Sequence, residues 1–260
     1  MWAIVTGGSS GLGLALAKRL AKQGYDLVLV GRSAERLDEA AAQITGCCGG
    51  RDIRVCPMDL SCPGSAESLH EWTESRGISP DVLVNNAGMY FYKPVTDVDK
   101  SQQDSLIGLN VSALAALCRL YGKDMASSRC KGAGSGKYIL NIASYSVYMP
   151  IEGFGFYAGS KAFVRTFSRC FAKEMRHNGV KVTAVAPAGM DTGLMNLRPE
   201  IRRLARTFGF LADTDTIARI SLRVMKSRCI HYWIPLWYNV LFIPFLWIFQ
   251  RLFKKVLVYL

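Results

Sequence analysis

The chain has 260 residues and a net charge of +12, drawn largely from the last third, where Arg202, Arg203, Arg206, Arg219, Arg223, Lys226, Arg228, Arg251, Lys254 and Lys255 face few acids. This length suits one α/β domain with a substantial core, and no stretch has linker composition. The charge favours anionic partners such as nucleotide phosphates, acyl carriers or lipid heads, but no motif or aromatic-basic interleaving points to nucleic acid.

Apolar runs alternate with helical periodicity along the chain, the pattern of a parallel sheet flanked by helices. A strand over 2–6 leads into Thr6-Gly7-Gly8-Ser9-Ser10-Gly11-Leu12-Gly13, which opens a helix over 12–23. Glycines placed there permit a tight turn at Gly7, approach of a pyrophosphate at Gly11 and close helix packing at Gly13, with the helix N-terminus favouring phosphate charge. A second strand, 27–30, ends at Gly31-Arg32-Ser33. A base at that point pairs with the 2′-phosphate of NADP, where an acid would bind the ribose of NAD, so Arg32 argues for NADPH. After a helix over 34–44, Cys47 and Cys48 fall in a Gly-rich loop, read as a bland surface loop or a redox-sensitive pair. A strand over 53–57 places Asp59-Leu60 beside the adenine. A helix over 65–76 and a strand over 82–85 then reach Asn85-Asn86-Ala87-Gly88, under the cofactor.

A long helix over 102–125 contains Asn110, and 132–136 reads as a glycine-rich turn before a strand over 138–142. Ser144 follows, then a helix over 158–176. Tyr157 and Lys161 are four residues apart and share one helix face, so the ammonium is expected to lower the phenol pKa from about 10 and ready it to donate a proton to a carbonyl. A strand over 180–185 leads to Pro187-Ala188-Gly189-Met190-Asp191-Thr192. A helix over 214–226 and a last strand over 230–234 complete the pattern. The fold class is α/β, a doubly wound Rossmann-type parallel sheet in a single domain over 1–230, followed by an apolar, aromatic C-terminal segment over 231–260. The eight cysteines form no C-x-x-C pair and have no spaced His, which argues against a metal site or disulfide framework and for a reduced cytosolic setting. Residues 1–5 run straight into the glycine turn, so no secretory leader is expected and the catalytic part is expected to stay in the cytosol.

Taken together, the glycine turn at 6–13, Asn-Asn-Ala-Gly at 85–88, Asn110, Ser144 and Tyr-x-x-x-Lys at 157–161 resemble the short-chain dehydrogenase/reductase family over roughly residues 2–230. The resemblance implies a catalytic set of Asn110, Ser144, Tyr157 and Lys161. Tyr157 is then the proton donor in reduction and Ser144 the hydrogen-bond donor to the substrate carbonyl. Lys161 also binds the nicotinamide ribose, and Asn110 anchors a water linking Lys161 to solvent. Implied cofactor contacts are Gly7, Ser9, Ser10, Gly11, Leu12, Gly13, Arg32, Ser33, Asp59, Leu60, Asn86, Ala87, Gly88, Tyr157, Lys161, Pro187 and Thr192. The 187–192 segment departs from the family's P-G-x-x-x-T pattern, because Ala188 stands where glycine is usual.

The remaining signals concern the substrate. Residues 193–212 occupy the place of the family's substrate loop. Arg198, Arg202 and Arg206 recur every four residues there, as a solvated helix face or as a dock for an acyl carrier or anionic lipid. Residues 229–250 carry no formal charge apart from titratable His231, but Pro235 and Pro244 interrupt them, so a monotopic anchor in the membrane interface fits better than a spanning helix. Packing against a core or a second copy is the rival reading. The chain resembles the branch holding ketosphinganine, long-chain 3-oxoacyl and hydroxysteroid reductases, implying a hydrophobic carbonyl substrate for a cytoplasmic enzyme peripheral to a membrane. A soluble 3-oxoacyl-carrier-protein reductase and a non-catalytic NADPH-binding sensor are the alternatives. Small residues Ala113, Ala115, Ala116 and Ala162 are compatible with a homodimer or homotetramer, or with core packing alone.

Overall fold

Seven strands, β1 (Trp2–Thr6), β2 (Asp26–Gly31), β3 (Ile53–Pro57), β4 (Pro80–Asn85), β5 (Lys137–Ile142), β6 (Val180–Ala186) and β7 (His231–Trp233), form one sheet in the order β3-β2-β1-β4-β5-β6-β7. Every neighbouring pair is parallel. The computed structural model describes residues 1–127, 136–148, 152–187, 213–227 and 231–233. Of the expected features, the substrate loop, Thr192, the arginine stripe, most of the glycine turn at 132–136 and the segment after residue 233 lie outside them.

Strands buried on both faces need apolar residues at every position, and their alternation assigns each residue to one of two helical layers. Ile4, Val28, Val30, Leu83 and Ile139 pack with α3 (Ser65–Glu74), α5 (Leu114–Ser127) and α6 (Gly155–Met175). Ala3, Val5, Leu27, Leu29, Val82 and Val84 pack with α1 (Gly11–Lys22), α2 (Ala34–Cys47) and a later helix, Thr214–Lys226, here α7. The fold is thus the doubly wound Rossmann-type sandwich read from the alternation. Strand order reverses between β1 and β4, and the crevice at the carboxyl ends beside such a reversal is where ligands bind in open α/β sheets.

The amino ends are closed differently. Lys137 Nζ donates to Asp81 at 3.0 Å and to the Pro80 carbonyl at 3.4 Å, while Asp81 also accepts from the Trp2 N–H at 3.0 Å. This largely buried pair fastens β1, β4 and β5 at the edge opposite the crevice.

Three details depart from the sequence reading. The long helix over 102–125 is not continuous: α4 (Lys100–Ile107) passes through a π-helical turn, Gly108–Ala113, into α5. Such turns widen a helix locally and concentrate at functional sites, and this one carries Asn110. The same run is apolar enough by length and composition to cross a membrane, yet Leu106, Leu114, Leu117, Cys118, Tyr121 and Met125 are buried in the protein core. Helix α6 begins at Gly155 rather than Ala158, which puts Tyr157 inside its first turn. Cys47 is not in a loop but is the last residue of α2, while Cys48 is its C-cap and leads into the Gly49-Gly50 turn.

Candidate active site

The turn after β1 is shaped by close approach. Gly7 and Gly11 have φ of 65° and 53°, a region open to glycine. A Cβ on Gly13 would lie 2.0 Å from the Gly7 carbonyl oxygen, so only glycine lets α1 start this near the turn. Ser10 is the N-cap of α1 but makes no side-chain capping bond, and no acid occupies the first turn. Helix N–H groups and a free hydroxyl therefore converge where a phosphate would be favoured. Leu12 is buried in the core, so only its backbone faces the turn, while Ser9 lies beside Gly31 at the end of β2.

Arg32 is exposed past the end of β2. Ser33 is occupied locally, its hydroxyl accepting from the Arg36 N–H at 3.2 Å as the N-cap of α2. Asp59 accepts from the Ser61 hydroxyl at 2.7 Å and its N–H at 2.9 Å. These bonds, with the nearby Arg32 guanidinium, hold its carboxyl below the usual range. Arg32 and Asp59 thus both lie at the carboxyl edge of β2 and β3, near enough for the guanidinium to act on the carboxylate. Leu60 turns inward to the core, and its carbonyl accepts from Ser65 at 3.1 Å.

Thr6, not singled out from the sequence as a site residue, organises the next turn. Its hydroxyl accepts from the Asn86 and Ala87 N–H groups, each at 3.0 Å, and donates to the Val84 carbonyl at 3.2 Å. The Asn86 amide donates back to the Thr6 and Gly7 carbonyls at 3.0 and 3.3 Å. Asn86 is accordingly a brace between two turns. A Cβ on Gly88 would stand 3.3 Å from both Asn110 Oδ1 and Lys161 Nζ, so glycine there leaves those polar groups room.

The four expected catalytic residues converge beside Gly88 and the ends of β4 and β5. Asn110 accepts from the Met89 N–H at 3.0 Å and donates to the Met89 carbonyl at 2.9 Å and to Ser160 Oγ at 3.1 Å. Ser160 donates its own proton to the Tyr157 carbonyl at 2.7 Å. Ser144, just past β5, accepts from the Ser146 N–H at 3.2 Å and is hydrogen-bonded to the Tyr157 hydroxyl. Lys161 is 5% exposed, and its Nζ donates to the Ile142 carbonyl at 2.9 Å. Pro187, past β6, accepts from the Tyr145 N–H at 2.9 Å, tying its segment to that of Ser144.

Charge in this cluster differs from the spacing argument. Burial holds the Tyr157 phenol above its ordinary 10, the Ser144 hydrogen bond pulls it down in part, and Tyr90 adds an upward push. The expected pull of Lys161 is not among these influences: its Nζ lies 5.9 Å from the Tyr157 ring centre and is directed to Ile142. Burial lowers Lys161 itself to about 8.

Aromatic rings enclose Tyr157. Tyr90 meets it edge-on at 5.7 Å between ring centres and Phe154 at 6.0 Å, while Tyr90 and Phe154 are 5.9 Å apart. Tyr92 packs on Phe154 at 5.4 Å and Phe91 on Phe156 at 6.1 Å. The Lys93 N–H donates to the Gly153 carbonyl at 3.0 Å, joining the two segments. The run Tyr90-Phe91-Tyr92, directly after the Asn-Asn-Ala-Gly turn, was the available signal. Beneath the cluster, Asn85 donates to Asn141 and Asn141 to Ser168, each at 2.8 Å, linking β4, β5 and α6.

Compared with models of known families, residues 1–202 match the short chain dehydrogenase family. A very-long-chain 3-oxoacyl-CoA reductase of Bos taurus is 30% identical over 249 residues, covering 90% of this chain and 76% of that protein. The reductase of the same name from Anas platyrhynchos is 36% identical over 203 residues, covering 75% of this chain and 62% of that protein. A solved short-chain dehydrogenase from Sphingobium yanoikuyae in complex with NADPH aligns with a TM-score of 0.78 at 27% identity, covering 97% of this chain and 95% of that one.

Proposed function

The chain belongs to the short-chain dehydrogenase family of oxidoreductases, and from that premise we propose that it uses NADPH to reduce a long-chain, apolar 3-oxoacyl carbonyl. The aromatic enclosure of Tyr157 by Tyr90 and Phe154 carries the substrate reading. Apart from Lys161, whose Nζ lies 5.9 Å from the Tyr157 ring centre, it sets rings beside the proton donor, and so favours a carbonyl flanked by hydrocarbon. The names of the relatives point the same way.

The residues present fit a dinucleotide. The Gly7–Gly13 turn and the N-terminus of α1 would hold its pyrophosphate, Arg32 its 2′-phosphate, and Lys161 its nicotinamide ribose, with Asn86, Ala87, Gly88 and Pro187 along its length and Thr192 beyond the described residues. When bound, the nicotinamide supplies the hydride. The protein's own part is proton delivery and orientation. The raised phenol of Tyr157 keeps its proton at neutral pH, as a donor in reduction requires. Ser144, bonded to the same hydroxyl, presents a second donor to the carbonyl oxygen where negative charge develops. Lys161 carries its charge below about pH 8, so turnover is expected to decline above that point.

NADPH oxidation with 3-oxoacyl-CoA thioesters of increasing length, 3-ketosphinganine, a ketosteroid and a 3-oxoacyl carrier protein tests the proposal. Long 3-oxoacyl-CoA should be preferred. Tyr157→Phe should lower kcat by about 10²- to 10⁴-fold while NADPH still binds, and Arg32→Asp should weaken NADPH more than NADH. Fastest turnover of the carrier-protein thioester would establish the soluble carrier-protein reductase instead. Binding of NADPH with no turnover of any carbonyl would leave a non-catalytic sensor.

The location and assembly of the protein belong to the same proposal. Trp237, Tyr238, Phe242, Phe245, Trp247 and Phe249, followed by Arg251, Lys254 and Lys255, suit a peripheral anchor on the cytosolic face of a membrane. Helix α6 presents Phe163, 38% exposed, at the head of a stacked row with Phe167 and Phe171, suited to packing against a second copy in a homodimer or homotetramer.

A further inference from the structure

The end of α2 holds two adjacent thiols that the reductase chemistry does not use. Cys47 and Cys48 are both free, with their sulfurs 3.6 Å apart. Cys47 is exposed at the last helical position and its thiol donates to the Ile44 carbonyl at 3.4 Å. Cys48 is half-buried, packs against the core and donates toward the Lys18 carbonyl of α1 at 3.8 Å. Each thiol is therefore held by a backbone carbonyl, and the two point into one shared space.

That separation distinguishes among the things two thiols can do. A disulfide needs its sulfurs about 2.05 Å apart and Cα atoms at least about 4.4 Å apart, whereas neighbours across a trans peptide are about 3.8 Å apart. No peptide bond in the chain is cis, so a bridge between these neighbours would have to distort the backbone. Two thiolates on one tetrahedral centre with metal–sulfur bonds of about 2.3 Å lie about 3.8 Å apart, close to what is found. The pair thus has the bite of a chelate. A structural zinc ion requires four ligands, and among the described residues the one His/Cys/Asp/Glu cluster with metal-ligand spacing is His70, Glu74 and Asp124, which does not include these thiols. Lys18 and Lys22 also place positive charge near Cys48, which disfavours a dication.

We propose that Cys47 and Cys48 form a bidentate site for a trivalent organoarsenical, a soft centre satisfied by two sulfurs and its own carbon. The reaction is a condensation: two As–S bonds form, the As=O bond breaks, and the oxygen leaves as water with the two thiol protons. Arsenic stays trivalent and nothing is oxidised. The product is neutral, so the nearby lysines do not oppose it. The site lies at the far end of α2 from Arg32 and Ser33, about 20 Å away for a helix of 14 residues, so capture is separable from reduction.

The test is phenylarsine oxide added to the whole protein, read by intact mass. One adduct per chain is expected that survives excess glutathione and is removed by dithiothreitol, because a single thiol cannot displace a chelate. Cys47→Ser and Cys48→Ser should each abolish the glutathione-resistant adduct, while Cys62→Ser, altering another exposed cysteine, should leave it. No resistant adduct on the wild type, or a resistant adduct on both single variants, would overturn the assignment. The readout is mass rather than turnover, so it stands apart from the fate of the proposed activity.

Discussion

Lys161 is an amine placed where charge is disfavoured. Its folded value of about 8 lies below the ordinary 10.5. Between those values the unfolded chain binds the proton and the folded chain does not, so this group makes stability rise with pH across that window. The full shift corresponds to about 3 kcal/mol. Urea unfolding should show wild type gaining about that much over Lys161→Met from pH 8 to 10.5, and a pH-independent difference would contradict it. Ser160 supports a second expectation. Its single proton goes to the Tyr157 carbonyl, so it can only accept from Asn110, which fixes which end of that amide faces Met89 N–H. Ser160→Ala should destabilise by about 1–3 kcal/mol and also shift the pH profile of kcat. A lower melting temperature with an unchanged profile would mean that Ser160 serves the fold alone. Tyr157 and Lys161 were legible because their spacing carries the chemistry, and Ser144 and Asn110 through the family resemblance. The burial of Lys161 was not, since it depends on strands and turns remote in sequence, and Ser160 looked like any small helix residue.

The elements show the same division. Apolar alternation located the strands well, because residues buried on both faces leave little freedom of composition. The π turn at 108–113 left no trace in the periodicity, since one extra residue in a helical turn barely shifts a short apolar stripe, and Asn110 within it bonds both backbone groups of Met89. Likewise α6 begins early, at Gly155, a residue type that local propensity disfavours in a helix. The far face of α6 yields a prediction for assembly. Phenylalanines at positions 163, 167 and 171 stack at 5.5 and 5.6 Å, and Phe163→Glu, at the exposed end of that row, should lower the sedimenting mass by half or more. Unchanged sedimentation at the wild-type mass would remove this face from the assembly.

At the scale of the whole molecule, the functional positions among the described residues collect at the carboxyl edge of the sheet, beside the reversal of strand order between β1 and β4. The strand order came from the structure, whereas the doubly wound parallel class was legible from the succession of strands and helices. The destination of the aromatic segment after residue 233 was not, because its composition suits a bilayer surface and a protein surface equally. If it anchors the enzyme, the full-length chain should stay with membranes through a carbonate wash and leave only with detergent. Recovery in the soluble fraction without detergent would exclude the anchor. The opposite edge, closed by Lys137 and Asp81, has a consequence of its own. Severing a buried ion pair strands one charge, at a cost of about 3–5 kcal/mol, yet no reacting group lies near that seam. The molecule therefore has a floor and a ceiling that fail in different ways: damage above alters each copy as a catalyst, whatever it costs in stability, and damage below yields less protein, each copy as capable as before.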